Sequence, residues 1–260
     1  MWRVTQYLLH LFYLRHRKGY GIHSPAIFEL VNRVIFNASG LRVPGEIGSV
    51  HRQILRNHTL IGGEDPGATS RVDQAESRTV RSFVRHSSVS FRYGALLYRI
   101  TRWFKPETIL ELGTGLGIST LYLAGAAPGV PLHTIEGNDA RADFSSHLFK
   151  RCGLSAVQVH AGEMEEMLER VSGIAGKRFL AFVDGNHRYE PTLRYIRWIL
   201  GRAGEEAVIV VDDIYWSKGM QQAWKEIIRW PEVRVSIDLF HMGILLFRKD
   251  LAKTTLKMKF

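Results

Sequence analysis

The spacing of apolar residues changes near position 105 of the chain. Before that position, apolar residues recur at the intervals of an amphipathic helix. We predict three helices there: residues 2–14, 25–36 and 74–104. The intervening residues 37–75 are interrupted by glycine and proline, which predicts loops except around residues 50–57. Residues 1–105 are therefore predicted to form a helical N-terminal region.

After position 105, short apolar runs alternate with longer amphipathic segments. The runs are residues 108–112, 132–136, 156–160, 179–184 and 207–212. This alternation is typical of a parallel sheet covered by helices on both faces. Two last runs, 233–240 and 243–247, are separated by two residues, and so short a connection permits only an antiparallel hairpin. Residues 106–260 are thus predicted to be an α/β domain with a doubly wound, mostly parallel sheet and a C-terminal antiparallel hairpin.

The positive charge of the chain is unevenly placed. The 260 residues carry a formal net charge of +10. Residues 1–105 hold 16 basic and 6 acidic residues, whereas residues 106–260 hold 19 of each. The excess indicates an anionic acceptor, a nucleic acid or a membrane surface as a partner of the N-terminal region. A solvated helical region, or one that makes the contacts of a homodimer, explains the same charge.

The compartment is predicted from two weaker observations. Cys152 is the single cysteine, so no intrachain disulfide and no cysteine-based zinc site can form. Basic residues follow the apolar N-terminal segment instead of preceding it, and no apolar run has the length of a membrane-spanning helix. We expect a cytoplasmic protein.

A glycine-rich turn follows the first predicted parallel strand. Residues 111–117 read Glu-Leu-Gly-Thr-Gly-Leu-Gly and lead into a helix, an arrangement that can hold a nucleotide-like ligand. The dinucleotide fingerprint G-x-G-x-x-G, begun at Gly113, requires glycine where the chain has Ile118. Begun at Gly115, it fails at Thr120. The spacing therefore disfavours a dinucleotide.

Two acidic motifs follow the fourth and fifth of these strands. They are Asp184-Gly-Asn-His in residues 182–189 and Asp212-Asp213 in residues 210–216. Because the carboxyl ends of parallel strands meet at one edge of a sheet, the three carboxylates are predicted to converge. Converging carboxylates repel one another unless a cation compensates them, and magnesium is the obvious candidate. Alternatively, Asp184 contacts the cofactor and Asp213 caps the next helix.

The spacing of the glycine turn resembles the first motif, E-x-G-x-G-x-G, of the class I S-adenosylmethionine-dependent methyltransferases. That resemblance implies a Rossmann-like fold with S-adenosylmethionine as the cofactor. It places Glu111, at the end of the first strand, near the amino group of the cofactor, and Glu136, at the end of the second, on the ribose hydroxyls. The full set of cofactor-binding residues that it implies is Glu111, Gly113, Thr114, Gly115, Gly117, Ser119, Glu136, Gly162, Glu163 and Asp184.

The acidic motifs are similar to those of the catechol and caffeoyl-CoA O-methyltransferases, whose magnesium ligands are an Asp after strand four and an Asp-Asn pair after strand five. Here the pair is Asp212-Asp213, which leaves dependence on a metal open. The resemblance implies Asp184, Asp212 and Asp213 as metal ligands. It also implies Asp184 and His187 as catalytic residues, because the Asp-Gly-x-His element looks like that of macrolide-sugar O-methyltransferases, where the histidine is the base. Over nearly the whole chain, the sequence also resembles a group of bacterial methyltransferases of unassigned substrate.

The predicted function is transfer of a methyl group from S-adenosylmethionine to a hydroxyl oxygen of a small-molecule acceptor. Methylation of nucleic acid or protein is an alternative, although the Asn-Pro-Pro-Tyr type of motif used on base nitrogens is absent. The other alternative is a non-catalytic cofactor-binding or membrane-associated protein, with residues 2–18 as a basic interfacial helix.

Overall fold

The computed structural model describes residues 2–12, 24–36, 41–62, 77–171, 173–174 and 176–260. The helices in these ranges are α1 Trp2–Phe12, α2 Pro25–Glu29, continued as a π-helix over Leu30–Phe36, α3 Gly45–Ile54, α4 Val80–Ser87, α5 Phe91–Phe104, α6 Ile118–Ala126, α7 Asp139–Arg151, α8 Met164–Arg170, α9 Tyr189–Leu200 and α10 Lys218–Ile227. The strands are β1 Leu60–Gly62, β2 Ser77–Thr79, β3 Thr108–Leu112, β4 Leu132–Glu136, β5 Val157–Ala161, β6 Phe179–Val183, β7 Val208–Asp212, β8 Val235–Asp238, β9 Met242–Leu246 and β10 Thr254–Lys257. Among the described residues, no helix combines the length and apolarity needed to cross a bilayer.

Eight strands form one sheet in the order β10-β8-β9-β7-β6-β3-β4-β5. The five strands β3 to β7 are parallel to one another, and β9 is antiparallel to both β7 and β8. The predicted parallel sheet and the C-terminal hairpin are confirmed. Because β3 lies between β4 and β6, the direction of winding reverses there, and the loops after β3, β4 and β6 border one crevice.

Strand β10, which pairs in parallel with β8, was not predicted. Its sequence, Thr-Thr-Leu-Lys, contains one buried residue, Leu256, so the apolar pattern is too short to distinguish an edge strand from a loop. The small antiparallel sheet of β1 and β2 was not predicted either.

The helix predicted over residues 74–104 is wrong in its continuity. Residues 74–76 lie outside the described part, and the remainder forms β2, α4 and α5, with a break after Ser87. Two capping side chains explain the break, because an N-cap hydroxyl starts a new helix. The Thr79 Oγ1 atom accepts from Ser82 N at 3.2 Å, and the Ser90 Oγ atom accepts from Tyr93 N at 3.5 Å.

The other N-terminal helices are confirmed. Helix α1 ends at Phe12 within the described residues, and the segment predicted at residues 25–36 changes from α-helix to π-helix at Leu30. The ordered segment expected around residues 50–57 begins earlier, at Gly45, and ends at Ile54.

The N-terminal helices share a core with the sheet. One hydrophobic cluster contains Val31 and Val34 together with the strand residues Ile109 and Leu180. Helix α5 joins these layers, since a Cβ atom at Gly94 would lie 2.4 Å from the Tyr122 ring of α6. The second face of the sheet is covered by α8, α9 and α10. The division into residues 1–105 and 106–260 stays a prediction.

Candidate active site

The turn between β3 and α6 needs glycine at three positions. Gly113, Gly115 and Gly117 have φ angles of 98°, 54° and 82°, in the left-handed region that side chains with a Cβ atom rarely adopt. At Gly113 there is also no space, because a Cβ atom would lie 2.3 Å from the carbonyl oxygen of Asp184. The turn after β3 therefore packs directly on the end of β6, and the two sequence motifs meet.

Glu111 lies behind this turn with its side chain fully buried. Its Oε2 atom accepts from Thr120 Oγ1 at 2.5 Å and from Thr134 Oγ1 at 2.7 Å. The Oε1 atom is buried and makes no hydrogen bond within the described residues. Burial raises the pKa of Glu111 to about 7 in spite of the hydroxyl donors. The carboxyl group of Glu111 therefore either holds a proton or accepts a further hydrogen bond at Oε1.

Glu136, at the end of β4, links the turn to the start of α7. Its Oε2 atom accepts from Gly115 N at 2.8 Å, and its Oε1 atom accepts from Asn138 N at 3.0 Å. The guanidinium Nε of Arg141 lies 3.5 Å from Oε1. The hydroxyl groups of a bound ribose would donate to the same Glu136 carboxylate that accepts from the backbone of the glycine turn.

One cavity of about 210 Å³ lies where these loops meet. The predicted residues that line it are Gly113, Thr114, Gly115, Ser119, Glu136, Glu163, Asp184, His187, Asp212 and Asp213. Three predicted residues do not line it. Glu111 lies behind the turn. Gly117 precedes α6 and packs against Phe149, and Gly162 packs against Met167.

The sequence reasoning missed one whole side of this cavity. The end of α4 contributes Phe83 and His86, followed by Ser87 and Ser88, and α7 contributes Arg141. The α4 residues were hidden because residues 74–104 looked like one continuous helix. Further lining residues that were not singled out are Gly137, Glu165 and Tyr195.

Asp184 and Asp212 lie together at the floor of the acidic side. Burial raises the pKa of both carboxyl groups, and the charges of Asp184 and Asp213 raise the pKa of Asp212 further. The hydrogen bond between them lowers the pKa of Asp184 and raises that of Asp212. Asp212 is therefore the member of the pair that keeps a proton, and Asp184 accepts it.

Asp213 behaves in the opposite way. Burial opposes its ionisation, but the adjacent His241, His187 and Arg3 lower its pKa below the ordinary value. Its Oδ1 atom accepts from the Arg3 guanidinium at 2.6 Å and lies 3.9 Å from His241 Nδ1. Asp213 is thus an ionised carboxylate that is held by α1 and by the turn after β8.

His187 faces Asp184 across a short gap, with its Nε2 atom 3.4 Å from Asp184 Oδ1. Its ring centroid lies 6.2 Å from that of Trp216. The backbone is strained here, because Asn186, His187 and Asp213 have φ angles of 66°, 38° and 48°. Such conformations cost about 1 to 3 kcal/mol each and cluster at functional sites.

Comparisons with known proteins agree with this geometry. Residues 110–214 match the family model described as "Methyltransferase domain". A catechol O-methyltransferase of Mycobacterium tuberculosis is 29% identical over 158 residues, which cover 60% of this chain and 68% of that protein. One from Niastella koreensis is 32% identical over 130 residues, which cover 49% of this chain and 58% of that protein.

Residues 110–214 are thus a methyltransferase domain, and the chain is similar to S-adenosylmethionine-dependent O-methyltransferases. Solved structures that resemble this methyltransferase include the O-methyltransferase TomG from Streptomyces achromogenes in complex with SAM, with a TM-score of 0.59 and 21% identity. The alignment covers 83% of this chain and 95% of TomG. The Bacillus cereus O-methyltransferase in complex with SAH has a TM-score of 0.58 and 17% identity, over 81% of this chain and 95% of that one. At these identities the structures support the fold of the methyltransferase.

The residues of this methyltransferase fit a sulfonium cofactor. The three left-handed glycines open the turn to close approach by a ligand, and the helix that follows begins with Ile118 and Ser119 at the cavity. Glu136 adds a carboxylate at the cavity that can accept from hydroxyl groups of the ligand.

The same residues do not fit a divalent ion as they stand. Among the described residues, no group of three or more His, Cys, Asp and Glu side chains is arranged to hold a metal. Asp213 is turned to Arg3, while Asp184 and Asp212 hydrogen-bond to each other.

Proposed function

We propose that this methyltransferase transfers the sulfonium methyl group of S-adenosylmethionine to a hydroxyl oxygen of a small-molecule acceptor. The observation that carries the proposal is one cavity bordered both by the left-handed glycine turn and by the Asp184 and His187 side chains. In the reaction, a bond forms between the acceptor oxygen and the methyl carbon as the carbon–sulfur bond breaks. The hydroxyl proton goes to a base of the protein, and S-adenosylhomocysteine leaves.

The cofactor roles follow from the positions around the cavity. Gly113, Thr114 and Gly115 surround the methionine part, and the Glu136 carboxylate accepts from the ribose hydroxyls. Glu163, which precedes α8 and lines the cavity, is proposed to contact the adenine. Because a sulfonium is already an activated leaving group, the protein must chiefly orient the acceptor and remove its proton.

His187 is the base in this proposal, and Asp184 assists it. A carboxylate 3.4 Å from the imidazole Nε2 atom stabilises the imidazolium that forms when the acceptor proton arrives. Trp216 provides an aromatic wall on the same side of the cavity. The relatives are named catechol O-methyltransferases, so a phenolic hydroxyl is the first acceptor class to test.

A methyl-transfer assay over a panel of phenols and other hydroxyl compounds tests the proposal. With a productive acceptor, we expect His187→Asn to lower kcat about 100-fold or more, the usual contribution of a general base. His147→Asn is the matched control, since His147 is exposed on α7 and makes only a local contact with Asp143 O. Equal loss in both variants, or no loss in His187→Asn, rejects His187 as the base.

The basic charge of residues 1–105 supports an anionic acceptor, although six carboxylates also line the cavity. Arg141 and His86 line it, and Arg3 stands beside Trp216 at one end. A carboxylate or phosphate on the acceptor is therefore proposed to raise kcat/KM relative to a neutral analogue. Raising the salt concentration should reduce this difference, because screening weakens the attraction.

The outer face of α1 is apolar and exposed to solvent. Val4 and Leu8 are 64% and 61% exposed, whereas Arg3, Gln6 and His10 point into the protein. An exposed apolar stripe in the basic N-terminal region fits the surface of an anionic membrane. We propose peripheral contact of a cytoplasmic protein with such a membrane.

Flotation with anionic and with neutral vesicles tests this contact. Val4→Glu and Leu8→Glu should abolish binding to anionic vesicles, whereas Leu60→Glu, at a Leu that is 67% exposed in β1, should not. If the wild-type protein does not float, and the same variants instead dissociate a dimer in gel filtration, the stripe is a homodimer interface and the membrane proposal fails.

A further inference from the structure

Helix α1 packs on the body of the protein through its polar side. The Gln6 Oε1 atom accepts from Gln221 Nε2 at 2.5 Å. His10 is buried, with its Nε2 atom 2.9 Å from Met258 O and its Nδ1 atom 3.4 Å from Asp238 Oδ1. These contacts join the first residues of the chain to its last strands and to α10. They fix the first turn of α1 over the loop that follows β7.

Arg3 extends from that turn into the acidic side of the cavity. Its guanidinium donates to Asp213 Oδ1 at 2.6 Å and lies 4.9 Å above the Trp216 ring. One guanidinium nitrogen lies 3.3 Å from His241 Nδ1. Contacts with a carboxylate, an aromatic ring and an imidazole hold the group in one orientation, which a planar guanidinium permits and a flexible ammonium does not.

The charge at this position explains why a cation is needed. In the catechol type of site that the sequence resembles, the second residue of the pair after strand five is a neutral Asn, whereas here it is Asp213. The extra carboxylate adds a negative charge next to Asp184 and Asp212. The guanidinium of Arg3, which donates to Asp213 Oδ1, supplies the compensating positive charge.

We propose that Arg3 is the resident cation of the acidic site, that it takes the place at Asp213 which a divalent ion would otherwise occupy, and that it positions Asp213 and Trp216. Arg3 is a positioning residue in this account. The inference rests on the proposed function only in that the Trp216 side of the cavity is the acceptor side. It assigns to α1 a part in the site that no pattern in the first 105 residues indicates.

Binding of Mn²⁺, followed by electron paramagnetic resonance in the presence of S-adenosylhomocysteine, tests the proposal without an acceptor. The wild-type protein should bind no Mn²⁺ that competes with Mg²⁺ at millimolar concentrations. Arg3→Gln removes the cation and keeps a polar side chain, and its affinity for Mn²⁺ should rise about tenfold or more. Adding Asp212→Asn to Arg3→Gln should abolish the new site.

Two further variants serve as controls. Arg3→Lys retains a positive charge and should bind no Mn²⁺. Arg33→Gln removes an arginine from an exposed ion pair with Glu29 and should behave as the wild type. Binding of Mn²⁺ by the wild type that is lost in Asp212→Asn overturns the proposal, and so does a folded Arg3→Gln variant without a metal site.

The circular dichroism spectrum shows whether Arg3→Gln is folded, and calorimetry with S-adenosylhomocysteine shows whether its cofactor site is intact. If that variant does not fold, Arg3→Lys and the wild type still decide the matter, because Mn²⁺ at Asp212 in either of them contradicts a resident guanidinium. Failure of the proposed function is a separate result, namely that no variant and no wild-type protein binds S-adenosylhomocysteine.

Discussion

Position 113 imposes two requirements that only glycine meets together. Its φ angle of 98° is left-handed, and a Cβ atom would lie 2.3 Å from Asp184 O. We expect Gly113→Ala to cost about 3 kcal/mol or more and to abolish binding of S-adenosylhomocysteine. Gly129→Ala is the matched control, because Gly129 has φ 79° with nothing within 4 Å of its Cβ position, so only about 1 kcal/mol of backbone strain applies. Equal losses in thermal unfolding and calorimetry would show that the contact with Asp184 is unimportant.

The buried carboxyl group of Glu111 should make the stability of the protein depend on pH. Its folded pKa of about 7 exceeds the ordinary value of 4.5, so the folded state holds the proton more tightly than the unfolded state. The contribution of Glu111 to the free energy of unfolding is therefore complete below about pH 4.5. It is lost as the pH rises through about 7, and the total loss is roughly 3 kcal/mol. Glu111→Gln should remove this part of the pH dependence in urea unfolding, whereas Glu107→Gln, at an exposed residue, should not. Parallel wild-type and Glu111→Gln curves would contradict the shift.

Sequence patterns predicted these residues unevenly. The glycine spacing places Gly113 and Gly115 correctly at the cavity, because a left-handed turn restricts residue type strongly. Glu111 carries the same motif, yet its side chain points behind the turn to Thr120 and Thr134, which only the packed sheet reveals. The role of Arg3 could not be predicted from the sequence, because its partner Asp213 is far along the chain and their contact depends on how α1 packs on the rest of the protein.

At the scale of elements, the start of α7 connects local sequence to the site. The Asn138 Oδ1 atom accepts from Arg141 N at 3.0 Å, and Asn138 N donates to Glu136. Asn138→Ala should therefore cost about 1 kcal/mol and weaken cofactor binding, since the N-cap is lost next to Glu136. Asn32→Ala removes only an exposed contact within the N-terminal helices and should change unfolding by less than about 0.5 kcal/mol. If denaturant unfolding does not separate the two variants, the cap is not important.

The elements that sequence patterns failed to predict have a common physical reason. Strand β10 and the pair β1 and β2 are short and, among their described side chains, contain one buried residue, Leu256, so burial leaves little pattern in their sequences. The break between α4 and α5 depends on the serine and threonine caps, which weigh little against a long helical pattern. The strands β3, β4, β6 and β7, in contrast, are almost entirely buried, and they and the edge strand β5 were predicted within one residue of their bounds.

At the scale of the whole molecule, the N-terminal helices and the sheet form a single core. Arg99 of α5 donates to Val34 O at 2.6 Å and to Ile35 O at 3.2 Å, and α5 packs closely on α6. We expect the chain to unfold in one transition, with coincident curves from tryptophan fluorescence and from far-ultraviolet circular dichroism. Two separate transitions would instead support independent folding of residues 1–105 and 106–260.

The central claim is that the cavity after β3, β6 and β7 binds S-adenosylmethionine, and calorimetry tests it most directly. We titrate the protein with S-adenosylmethionine, with S-adenosylhomocysteine and with NAD, each with and without magnesium. We expect saturable binding of the two sulfur compounds at one site per chain, with no binding of NAD and no requirement for magnesium. Tight binding of NAD, with no response to either sulfur compound, would contradict it.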